Sequence, residues 1–112
     1  MLAMPTSASS ARIIVLDGNP GFVAAVTRFL ERLPACTRAV ADVVLVDLGL
    51  AGLELPRRLK LGNPSLAVIA LALFPTPELI AEARRLGLDG VVAKEAFAEE
   101  LVGALARVRG AP

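Results

Sequence analysis

The chain has 112 residues, 55% of them hydrophobic, with 12 Lys and Arg against 11 Asp and Glu. That length holds one domain, and the near balance of charge argues against a nucleic-acid surface, which carries a clear basic excess. The chain has no histidine and one cysteine, Cys36, which excludes histidine-based catalysis, most zinc sites and a disulfide scaffold. Met1 to Ser10 lacks the basic and long apolar regions of a secretory signal. The longest apolar run, Leu66 to Phe74, is too short to cross a bilayer. The expected setting is the cytoplasm, without membrane contact.

Residues 1–11 read as a flexible tail ahead of a single domain at 12–109. Arg12 to Leu16 is apolar and rich in β-branched residues, as in strands buried on both faces of a parallel sheet. Asp17-Gly18-Asn19-Pro20 breaks it, with Asn19 as N-cap and Pro20 at the first helical position. Phe22, Val26, Phe29, Leu30 and Leu33 follow at helical spacing, and Pro34 ends that helix. A second strand, Asp42 to Val46, stops at Asp47. Leu55 to Leu61 holds about two helical turns, closed by Gly62-Asn63-Pro64. Leu66 to Ala72 is a third strand. Thr76-Pro77-Glu78 opens a helix whose Leu79, Ile80, Ala83 and Leu86 line one face. Gly90 to Ala93 is a fourth strand ending at Lys94, and Phe97, Leu101, Ala104, Leu105 and Val108 form a final amphipathic helix.

Strand and helix alternate four times, which reads as an α/β fold of right-handed β-α-β units with helices on both faces of a parallel sheet. Chemistry in such sheets sits outside the carboxyl ends of the strands, and three of the four strands end at Asp17, Asp47 and Lys94. The basic residues Arg57, Arg58, Lys60, Arg84, Arg85, Arg107 and Arg109 fall on predicted helices and read as solvated faces.

Four stretches carry a family resemblance: Ile14 to Pro20, Val43 to Gly52, Ala67 to Ala72 and Gly87 to Lys94. In that order and at those strand ends, they resemble the receiver domain of bacterial response regulators, especially receivers found with helix-turn-helix output domains. The resemblance implies a flavodoxin-like fold. It places Asp47 at the phosphoacceptor position, Asp17 at one of two Mg²⁺-binding acidic positions and Lys94 at the conserved lysine. It also exposes three losses. Gly18 stands where the second acid belongs, Ala72 where a Ser or Thr holds the phosphoryl group, and Val91 where an aromatic switch residue moves.

A carboxylate is a poor nucleophile toward a phosphodonor unless charge on the transferring oxygens is neutralised. Mg²⁺ does this from one or two carboxylates and phosphate oxygens, so a site made of Asp17 and Asp47 alone is expected to bind it weakly. Loss of the hydroxyl at Ala72 forfeits a charge-assisted bond worth roughly 1.5–3 kcal/mol. The pocket therefore reads as a remnant, with no cofactor expected beyond weak Mg²⁺.

Only eight residues, Pro34 to Ala41, separate the first helix from the second strand. A parallel crossover needs a dozen or more, so the usual second strand and second helix are expected to be absent, leaving four strands. The first strand would then lie at the sheet edge, open to a second copy or a partner's strand, unless Thr37 to Val40 folds over it. The expected function is a non-enzymatic, degenerate receiver-like module acting by protein–protein contact, as a homodimer or with a protein partner, through that edge or the 77–109 face. The alternative is a minimal single-domain response regulator phosphorylated on Asp47 with Mg²⁺. A flavodoxin-like enzyme or nucleotide-binding domain ranks last, because Asp17-Gly18-Asn19-Pro20-Gly21 fits neither G-x-G-x-x-G nor a P-loop.

Overall fold

The computed structural model describes residues 13–32 and 42–110. The expected tail at 1–11, Arg12, Leu33, Cys36 and the Thr37 to Val40 segment lie outside the described residues. Four strands are described: β1 (Ile13–Leu16), β2 (Val43–Asp47), β3 (Ala67–Ala72) and β4 (Gly90–Ala93). They form one parallel sheet in the order β1-β2-β3-β4. The helices are α1 (Pro20–Arg32), α2 (Leu48–Ala51), α3 (Glu54–Gly62), α4 (Pro77–Arg85) and α5 (Phe97–Gly110), with a 3₁₀ turn at Lys94–Ala96.

The strands are apolar throughout because both faces are covered. Ile13, Val15, Val43, Leu45, Ile69 and Val92 face one layer, where Val23 and Val26 of α1 and Leu101, Ala104 and Leu105 of α5 pack against them. Val44, Val46, Val68 and Ala70 face the other, beneath Leu55 and Leu59 of α3 and Ala83 of α4. Strand periodicity of two places alternate residues in opposite cores, so the unbroken apolar runs are the signature of this two-sided burial.

Helix starts follow local chemistry. The Phe22 N–H donates to Asn19 Oδ1 at 3.1 Å, and Thr76 caps α4 by accepting from the Leu79 N–H at 3.1 Å. Pro20 and Pro77 occupy first-turn positions where no N–H is needed. At the far end of α4, Gly87 adopts φ +87°, a left-handed conformation that side chains resist. There its N–H donates to the Arg84 carbonyl.

The structure departs from the sequence expectations in three places. Leu66 lies before β3, since its N–H donates to the Asn63 carbonyl in the preceding turn. Ile80 is 38% exposed and does not belong to the core face of α4; Leu88, just beyond the helix, joins that core instead. Lys60 is not on a solvated face. Its ammonium donates to the Leu66 carbonyl at 2.7 Å and to Asp89 Oδ2 at 2.9 Å.

Helices cover both faces of the sheet, α1 and α5 on one and α3 and α4 on the other, as the alternation of strand and helix predicts. The connection from α1 to β2 lies outside the described residues. Among the described residues β1 is an edge strand.

Candidate functional site

The carboxyl ends of β1, β2 and β4 bring Asp17, Asp47 and Lys94 together, as the strand-end positions predict. Asp17 follows β1 directly, and its Oδ1 accepts the Asn19 N–H at 2.8 Å. Asp47 ends β2 and caps α2, its Oδ1 accepting the Gly49 N–H at 3.1 Å. Gly49 carries no side chain here, and a Cβ would stand 3.2 Å from Asp47 Oδ2. Gly52 ends the short helix at φ +56°, allowing the chain to turn at once into α3.

Lys94, one residue beyond β4, reaches back between the two carboxylates. Its Nζ lies 2.7 Å from Asp17 Oδ2 and 3.4 Å from Asp47 Oδ1. The closer partner is Asp17, the buried one: its side chain is 0% exposed, against 16% for Asp47 and 12% for Lys94. The Lys94 ammonium also sits 4.6 Å from the centroid of the Phe22 ring, a favourable contact with the π face. Phe97 meets both Phe22 and Phe29 edge-on at 5.5 Å. Phe22, expected as a core residue, thus also covers the cation.

Burial works against the charge on Lys94, but hydrogen bonding and attraction from Asp17, then Asp47, outweigh it and hold the ammonium above the ordinary lysine value of 10.5. A raised folded-state pKa means the stabilisation is complete below the unfolded value and is lost as pH rises through the folded one. Stability is therefore expected to fall above about pH 10.5, and this part of the fall to vanish in Lys94→Met. Urea unfolding across alkaline pH reads this cleanly, because the chain has no tyrosine and Lys60 is its only other lysine.

Beside Asp47 and Lys94 lies a groove of about 580 Å³. Leu48, Leu53, Leu79 and the Leu73–Phe74 pair wall it, and Ala72 lines it together with Asp47 and Lys94. No hydroxyl stands at the Ala72 position, and Gly18 is exposed and brings no donor group. Val91 in β4 is half-buried in the core shared with α4. Among the described residues no three His, Cys, Asp or Glu side chains gather as a metal site. The acidic donors here are Asp17 and Asp47, and both are engaged by Lys94. Sequence reasoning missed Leu73 and Phe74. The signal was an apolar run of Leu66 to Phe74 that outlasts the strand within it.

No protein-family model matches the chain, and no curated protein matches it significantly. Solved structures do. The RcsB response regulator of Salmonella typhimurium superposes with a TM-score of 0.75 over 94% of this chain, at 21% identity. The isolated REC domain of RcsB from Salmonella enterica serovar Typhimurium, solved with the phosphomimetic BeF3-, gives 0.70 over 88% of this chain and 87% of that one, at 22% identity. A LuxR-family DNA-binding response regulator from Staphylococcus aureus gives 0.68 over 90% of this chain and 99% of that one, at 19% identity. The chain spans 64% of the first of these proteins. The fold is therefore that of a response-regulator receiver domain, a parallel α/β sheet with its acidic pocket at the strand ends. Among the described residues this receiver fold has four strands. No described helix is long and apolar enough to cross a membrane.

Proposed function

We propose that this chain is a receiver-like signalling module that acts by protein–protein contact without phosphorylation of Asp47 and without catalysing a reaction. The observation that carries this reading is that the pocket of Asp17, Asp47 and Lys94 is flanked by Gly18 and Ala72, neither of which has a polar side chain. A phosphoryl acceptor needs its charge neutralised by Mg²⁺ and by donors to the transferring oxygens. Here Gly18 supplies no third acid, and Ala72 supplies no hydroxyl. The donor set fits Mg²⁺ poorly, so no step is routed through the metal. With Val91 in place of a ring, the hydroxyl-and-aromatic relay implied by the resemblance has no moving parts.

Two surfaces support a binding role. One is the outer edge of β1, unpaired among the described residues, where a second copy or a partner's strand would complete the sheet by main-chain bonds. The other is the 77–109 face, where Ile80, Arg84, Val91 and Arg107 bound a cleft of about 210 Å³. Neither calls for direct nucleic-acid contact.

The test is Mg²⁺-dependent labelling with acetyl phosphate or phosphoramidate, read by intact mass. The chain is expected to take no phosphoryl group, and a Gly18→Asp/Ala72→Thr double variant, with acid and hydroxyl restored, is expected to take one. Labelling of the unaltered chain that disappears in Asp47→Ala would establish the alternative, a phosphorylated single-domain regulator, and end this reading.

A further inference from the structure

We infer that the groove beside Asp47 is a docking site for a basic segment of a protein partner that inserts apolar side chains against Leu73 and Phe74. The inference rests on the interaction-module reading and names a third surface for it. Each of the six residues of β3 is buried, yet the next two, Leu73 and Phe74, are 58% and 74% exposed. Adjacent exposed leucine and phenylalanine beside a groove are unlike the scattered apolar residues of an ordinary surface, and such patches mark contact sites. Half-buried Leu53 and Leu79 face them across a groove large enough for two or three side chains.

Charge selects the occupant. Each helix that follows a strand begins at the carboxyl end of the sheet, and the first turns there carry Glu78 in α4 and Glu99 and Glu100 in α5, with Glu95 in the 3₁₀ turn. Asp17 and Asp47 add two more carboxylates. Lys94 offsets one of these charges, while Arg57 and Arg58 are tied to Glu54 within α3. At the other end the last turns carry Arg32 in α1, Lys60 in α3, and Arg84 and Arg85 in α4, with Lys60 paired to Asp89 and Arg85 to Glu82. Among the described residues the first turns of α3, α4 and α5 are thus acidic, and the last turns of α1, α3 and α4 carry basic residues. An incoming cation gains from Asp47 in the groove wall and from Glu78, the neighbour of Leu79, whereas an acidic or phosphorylated segment is repelled by both.

Two acetylated, amidated peptides of equal length, one alternating leucine with arginine and the other leucine with glutamate, are titrated into the ¹⁵N-labelled full chain. The arginine peptide is expected to give saturable amide shifts centred on Gly49, Gly52, Leu73 and Phe74, weakened by salt. Phe74→Ser and Asp47→Asn should each weaken binding about tenfold, and the glutamate peptide should give no saturable shift. Phe74 is exposed, so its variant keeps the fold, which an unchanged amide spectrum elsewhere verifies. Equal response to both peptides, shifts centred elsewhere, or indifference to Phe74→Ser would overturn the inference. So would the same shifts arising from raised protein concentration alone, which would assign the groove to a second copy. A parallel titration with beryllofluoride and Mg²⁺ separates the two readings. An adduct on Asp47 counts against phosphorylation-independence, while the peptide result alone decides the groove.

Discussion

Lys94→Met is expected to destabilise the fold by about 3–5 kcal/mol, the range for breaking a buried ion pair from one side. The pair with Asp17 is buried on both sides, at 12% and 0% side-chain exposure, so solvent screens little of the loss. Without the ammonium, Asp17 and Asp47 face each other across the space it filled. Asp17 keeps the Asn19 N–H as donor to Oδ1, but Oδ2 loses its charged partner. The contact with the Phe22 ring goes as well. Adding Asp17→Asn to the variant is expected to recover a large part of the loss, because a neutral amide does not need the counter-ion. Urea unfolding of the two single variants and the double variant measures the coupling. A Lys94→Met loss below about 1 kcal/mol would mean that the pair behaves as an exposed one does.

Asp89→Ala is expected to cost about 1.5–3 kcal/mol, from the charged hydrogen bonds lost. Asp89 sits one residue before β4, where it meets β3 twice through Val68. Its backbone N–H donates to the Val68 carbonyl at 2.8 Å, and its Oδ2 accepts the Val68 N–H at 2.8 Å. The same oxygen accepts from Lys60 at 2.9 Å. One carboxylate therefore joins the end of α3, the start of β3 and the start of β4. Val68 is fully buried, but the carboxylate is 32% exposed, so water takes over part of the lost acceptor's role. Asp89→Asn keeps an acceptor oxygen and is expected to lose about half as much. Denaturant unfolding gives the magnitude, and faster hydrogen exchange at the Val68 amide identifies its source. Unchanged protection at that amide would show that the clasp is not what holds the strand start.

These two expectations differ in how far they were readable beforehand. Asp17, Asp47 and Lys94 were legible because each interrupts an apolar β-branched run, and in a parallel sheet every strand delivers its end residue to the same edge. The Lys60–Asp89 clasp was not, since 29 residues separate the two and no local pattern marks the pairing. Lys60 looked like any basic residue near a helix end.

Local pattern settles what depends on neighbours in the chain: the order and type of the elements, the Asn19 and Thr76 caps, the four strand runs, and the three ionisable residues at their ends. It also carries the departures from the receiver pattern, Gly18, Ala72 and Val91, since each is a residue identity. Folding adds what depends on packing between distant segments. One such choice puts α1 and α5 on one face and α3 and α4 on the other, and periodicity is silent on it because either face of the sheet offers an equally apolar surface to bury. The preference of Lys94 for Asp17 over Asp47 is a matter of tenths of an ångström between strand ends. The exposure of Leu73 and Phe74 is equally unreadable from composition. An apolar run states what the chain gains by burial, but the length of the sheet decides where the run stops being covered.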